Sequence, residues 1–279
     1  MKKEKDSICW ELEDIEQRLG FHGARFTSTN GVFTFTAAAL ITAVAYFVIW
    51  LIPYDPLKKM LIFGGVIPYV IVFFSCWSIA ILIVKSQKLK MQLKTLKASI
   101  TPDDPNYVLT SATADTMKER IYSLVDEPHH FILFNRIMIA LASLKNLGQV
   151  ADIESILRSQ AERDESSVHT SFATVTGFVW SIPVLGFIGT VMGLSVAIGG
   201  FANVLNAVSD TSQIVVALKG VTGGLGTAFE TTLEGLIAAL LIQLLITRQR
   251  RREEEFLDEC ANYCTRNIVG TLRILPYEK

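Results

Sequence analysis

Two acids, Glu230 and Glu234, lie inside an otherwise apolar stretch, Val221–Thr247, and are the most conspicuous candidates for ion chemistry in the chain. Four residues apart, they stack on one face of a helix. An ionised carboxylate in hydrocarbon costs several kcal/mol, so both must face protein or water, and their proximity favours a shared proton. They read either as a proton or cation site or as buried carboxyls bonded to hydroxyls such as Thr36, Thr42, Ser75 and Ser78. Thr232 lies two residues from each acid and, at about 100° per residue, points almost the opposite way. Enzymatic chemistry has less support. The chain carries neither a nucleophile–base pair nor a Gly-rich phosphate cradle, so the expectation is that it is not an enzyme.

The remaining reactive residues read as structural. Cys260 and Cys264 sit four apart with no His nearby, a spacing that suits one face of a reduced helix better than half of a metal site. His129 and His130 follow Pro128 without a ligand partner and read as a solvated helix start.

Membrane spans must position these groups. Half of the 279 residues are apolar and the mean hydropathy is +0.38. Four segments are long and apolar enough to cross a bilayer: Val32–Ile52, Met60–Val84, about Phe172–Asn203 and Val221–Thr247. Acidic residues (Glu11, Glu13, Asp14, Glu16) precede the first, and no small-residue cleavage site follows it, so it does not read as a signal peptide. Lys and Arg number five in positions 1–30, eleven in 85–170 and seven from Arg248 onward, whereas the short connections hold only Lys58, Lys59 and Lys219. The positive-inside rule then puts both termini and the long loop in the cytoplasm. Pro53, Asp55 and Pro56 make an external turn, and Thr101–Pro105 breaks the helix that continues the second span. On that helix, Lys85, Lys88, Lys90, Lys94 and Lys97 read as a lipid-headgroup patch or as a solvated face.

The expected organisation is a cytoplasmic amphipathic segment (1–30), a hairpin of spans one and two (31–85) and a cytoplasmic helical loop (86–170). A core of spans three and four (171–247) and a cytoplasmic C-terminal helix (248–279) complete it. The third span carries Pro183, Gly186, Gly189, Thr190, Gly193 and Ala197 at three- and four-residue spacing. Small residues at that spacing let backbones approach closely in lipid, so this helix should pack against copies of itself or its neighbours. Pro183 permits a kink.

Two of these stretches resemble signatures of one family. Pro183-Val-Leu-Gly-Phe-Ile-Gly-Thr-Val-Met-Gly193 is similar to the P-x-L-G-L-L-G-T-V-x-G motif of the MotA/TolQ/ExbB proton channel family. Ala228-Phe-Glu-Thr-Thr-Leu-Glu-Gly-Leu-Ile-Ala-Ala239 is similar to its A-L-x-x-T-x-x-G-L-x-x-A motif, in the same order, and the resemblance covers about residues 150–270. The resemblance implies an all-α membrane protein: four transmembrane helices with long cytoplasmic helical extensions, assembled as a pentameric ring in the bacterial inner membrane. It also implies a dimer of a single-span MotB/ExbD/TolR-like partner with a transmembrane Asp and a periplasmic domain, inside a pore lined by spans three and four. Thr190 and Thr232 fall where the family places pore-facing threonines, with Glu230 and Glu234 as further candidates for the ion pathway. Pro183, Gly186, Gly189, Gly193 and Gly235 fall at helix-packing positions. No metal or cofactor is expected, and a proton is favoured over sodium as the coupling ion. Membrane lipids, but not nucleic acid, are expected partners. Four spans match MotA, whereas the signatures are closer to ExbB, TolQ and the channel subunit of the Zorya antiphage system. Glu234 departs from the ExbB/TolQ pattern, which is apolar there. Within the family the alternatives are a TonB/Tol-type energiser, Zorya-type defence or a flagellar-like stator. Outside it, the rival is an oligomeric membrane scaffold without ion flux.

Overall fold

The computed structural model describes residues 8–53, 58, 60–62, 65–98, 100, 108–147, 150–207 and 211–272. The expected turn residues Asp55 and Pro56, the Thr101–Pro105 break and Asp210 lie outside them. Among the described residues the chain is helical, without strands; two isolated bridges join Ile8 to Val125 and Leu109 to Leu272. In order, the helices are α1 (Trp10–Glu13), α2 (Ile15–Arg18), α3 (Gly31–Leu51), α4 (Val66–Leu96) and α5 (Ser111–Leu124). They continue as α6 (Ile132–Leu147), α7 (Val150–Ser171), α8 (Ala173–Ala207) and α9 (Thr211–Asn267).

Four helices, α3, α4, the α7–α8 stretch and α9, are long and apolar enough to span a membrane. The fourth is a single 57-residue helix, about 85 Å long at 1.5 Å per residue. It starts ten residues before the expected Val221, so most of the expected second connection is helix. Pro183 is accommodated inside α8 without ending it.

The chain divides into two compact units. The first gathers residues 1–33, 83–172 and 248–279, three stretches far apart in sequence. Its centre is the start of α6, where Phe131, just before the helix, and every residue from Ile132 to Ile137 are buried. Arg136 lies within that run and is 1% exposed; its Nε donates to Asp164 Oδ2 of α7 at 2.6 Å. A buried cation in an apolar helix demands such a partner. Cys260 and Cys264 are both buried on one flank of α9. Pro128–His130 is a 3₁₀ turn rather than a helix start in water, and the His130 ring stacks on Trp10 with centroids 3.8 Å apart. Burial pushes the His130 pKa below its ordinary value, with Glu127 opposing that shift.

The lysine row divides, part of it matching the solvated face expected and part of it buried. Lys85 and Lys88 are buried, whereas Lys90, Lys94 and Lys97 are exposed. Lys85 Nζ donates to Glu253 Oε2 at 3.1 Å and to Ser171 Oγ at 2.7 Å, and it lies 4.1 Å from the centroid of the Phe172 ring. Glu253 also accepts from Thr27 Oγ1 at 2.8 Å and Gln249 Nε2 at 2.9 Å. Lys88 Nζ pairs with Glu16 Oε2 at 2.6 Å and donates to the carbonyls of Ala24 and Ser28. The amino-terminal segment supplies Glu16, which neutralises Lys88, and the Thr27 carbonyl, which accepts from Lys85 at 3.3 Å.

The second unit comprises residues 34–82 and 173–247. Phe35, Phe73, Phe74, Trp77 and Phe178 form an aromatic cluster joining α3, α4 and α8, and Trp77 Nε1 donates to Thr34 Oγ1 at 3.2 Å. Much apolar surface stays uncovered within the chain: Trp180 is 76% exposed and Phe229 64%. Contiguous apolar surface of this kind suits lipid or another protein surface rather than water.

Candidate ion-path seam between the third and fourth spans

The small flank of α8 is occupied by α9 of the same chain. A Cβ added at Gly186 would lie 3.1 Å from Thr232 Cα, and one at Gly189 only 2.6 Å from Thr231 Oγ1. At Gly193 it would meet Ala228 Cβ at 3.1 Å, and at Gly224 it would meet Ala197 Cβ at 2.9 Å. A Cβ at Gly235 would approach the Ile182 carbonyl to 3.0 Å, at the residue before Pro183. These contacts leave no room for larger residues, because the backbones approach as small residues in lipid allow. The sequence pattern predicted close packing here; the structure assigns its partner, the fourth span.

Within that seam Thr232 donates its hydroxyl to Gly186 O at 3.1 Å. Thr190, one turn beyond Gly186 on α8, is half-exposed and donates to its own helix, at Phe187 O, over 2.6 Å. No hydrogen bond joins the two hydroxyls among the described residues. Thr232 therefore spans the seam, while Thr190 presents its side chain at the edge.

The acid pair does not share one environment. Glu230 is exposed, whereas Glu234 is 8% exposed. Neither carboxylate oxygen of Glu234 has a hydrogen-bond partner among the described residues. The hydroxyls expected to satisfy it bond elsewhere: Thr42, Ser75 and Ser78 donate to Ala38, Ile71 and Phe74 carbonyls of their own helices. Two residues not singled out by the sequence belong to this region. Thr231 is buried at 3% and fills the space left by Gly189. Tyr46 of α3 lies within electrostatic reach of Glu234. A tyrosine in the first apolar run was the available signal for the second; Thr231 had none, since its neighbour Thr232 carries the motif.

Long apolar helices with uncovered faces, packed through close Gly-to-backbone contacts along one seam, are suited to a membrane rather than to water. Residues 129–262, just under half of the chain, match the MotA/TolQ/ExbB proton channel family. The match begins within the Pro128–His130 turn and so takes in α6 and α7 as well as the two motif-bearing spans. No curated protein and no solved structure matches the chain.

Proposed function

We propose that the chain is the pentameric channel subunit of a motor driven by the proton motive force. It works around a dimer of a single-span partner that carries a transmembrane Asp and a periplasmic domain. The observation that carries this reading is the α8–α9 seam, inside the segment that matches the proton channel family, in which Thr232 bonds across to Gly186 and Thr190 stands one turn away. A mostly apolar pore gives an ion few stopping places, so isolated hydroxyls beside a partner carboxylate can relay it without adding a charge that would trap it. The uncovered faces of α8 and α9 supply surface for neighbouring subunits and for the partner span. The Lys/Arg distribution supports an inner-membrane protein with both termini in the cytoplasm.

Proton flux into proteoliposomes holding the chain and its partner tests this function. Flux in the wild type that is lost in Thr190→Val/Thr232→Val, with assembly intact, is expected. Full flux in that double variant, or a purified wild type that stays monomeric with its partner present, would overturn it. Glu230→Gln and Glu234→Gln in the same assay report whether either acid belongs to the path.

A further inference from the structure

Glu234 is buried and Tyr46 half-buried, and the polar ends of both are enclosed without being satisfied. The Tyr46 hydroxyl on α3 has no hydrogen-bond partner among the described residues, nor does either Glu234 oxygen on α9. Tyr46 lies within electrostatic reach of Glu234, Tyr69 and Cys76. We propose that Glu234 and Tyr46 form a second proton-binding site, in the seam between the first and fourth spans and apart from the Thr190 and Thr232 hydroxyls.

The chemistry of the site selects a proton. A carboxylate without donors in a membrane interior costs several kcal/mol. A protonated carboxyl carries no charge and both donates and accepts, so it can exchange hydrogen bonds with a phenol, directly or through one water. The hydroxyl protons of Thr42, Ser75 and Ser78 go to carbonyls of their own helices and that of Tyr69 to Ile62 O at 2.8 Å, so none of these groups donates to a Glu234 carboxylate. The other titratable groups within electrostatic reach of Tyr46 are Tyr69 and Cys76 from α4, and the exposed Glu230 lies one turn before Glu234 on α9. The α8 sequence contains no Asp, Glu, Lys, Arg, His, Cys or Tyr, so the third span brings no charge. Glu234 is two residues, about 200° around the helix, from Thr232. It is only three residues from Thr231, so its site flanks the α8–α9 seam at the Thr231 edge, on the side away from Thr232.

Infrared titration of the full chain in lipid nanodiscs, with ¹³C-labelled glutamate, reads this site without the partner or any motor output. A protonated-carboxyl carbonyl band is expected at neutral pH, lost in Glu234→Gln, kept in Glu230→Gln and shifted in frequency in Tyr46→Phe. If Glu234→Gln does not fold, the isotope shift in the wild type and the Tyr46→Phe response make the same assignment. No protonated glutamate band at neutral pH, or a band indifferent to Tyr46→Phe, would overturn the proposal. Because this readout needs no ion flux, such a failure leaves the motor reading intact, and loss of the motor reading leaves this one standing.

Discussion

The Thr232 hydroxyl donates to the carbonyl oxygen of Gly186 at 3.1 Å, tying two membrane helices together across 46 residues of sequence. Gly186 makes the bond available, since a Cβ there would lie 3.0 Å from Thr231 O and force the helices apart. Thr232→Val keeps the shape and removes the donor. Interhelical side-chain bonds in membranes are worth about 1 kcal/mol, so folding and assembly should survive while proton flux falls. Unchanged flux in a stable Thr232→Val complex would assign the hydroxyl to packing.

Glycines along the third and fourth spans should divide by what they face. Gly189→Ala drives a Cβ to 2.6 Å from the Thr231 hydroxyl, whereas a Cβ at Gly223 or Gly226 meets nothing within 4 Å in the chain. Thermal unfolding in detergent should fall sharply for Gly189→Ala. The single-chain fold should gain about 0.5–1 kcal/mol for Gly226→Ala, from reduced backbone freedom in the unfolded state. Equal responses would remove the seam as the reason for Gly189.

Lys85 and Glu253 form a fully buried pair with 0% and 1% exposed side chains. Removing either partner leaves an uncompensated charge, at a cost of about 3–5 kcal/mol. Lys85→Met and Glu253→Gln should each destabilise strongly, and combining them should recover much of the loss. A double-mutant cycle from denaturation midpoints checks this. Simple additivity would mean that the pair is not coupled.

Acid should release the amino-terminal segment in two steps. His130 has a lowered pKa because burial opposes its charged form. The unfolded state therefore takes up protons first, and stability falls as pH drops below the unfolded value of about 6.5. Asp126 is also lowered: burial raises it, but bonds from the Trp10 backbone N–H and the Cys9 thiol outweigh that. Its contribution is present above the unfolded carboxylate value and lost as pH falls through the folded one. Trp10 fluorescence should report both losses, with His130→Phe removing the upper step and Asp126→Asn the lower. A signal flat between pH 7 and 3 contradicts the docking scheme.

Membrane orientation is tested by cysteines at Asp55 and Asp210, which should react with impermeant thiol reagents from outside intact cells. Cysteines at Lys97 or Glu255 should not. Labelling at Lys97 would reverse the arrangement.

The sequence by itself determined the four spans, because a long apolar run is a local property that bilayer thickness converts directly into a crossing helix. It also located the Pro183–Gly193 and Ala228–Ala239 motifs and the close packing that small residues at helical spacing permit. Only the tertiary structure decided which surface fills the small flank, and it is α9 of the same chain. The fold also buried Lys85 and Lys88 against Glu253 and Glu16, acids 168 and 72 residues away in sequence. It separated Glu230 from Glu234 as well: four-residue spacing fixes a shared face, yet one turn, about 6 Å, carries a side chain from open surface to cover. Tyr46 came within electrostatic reach of Glu234 in the same way. Periodicity specifies the direction in which a residue points along its own helix, whereas what it meets there depends on packing between distant segments.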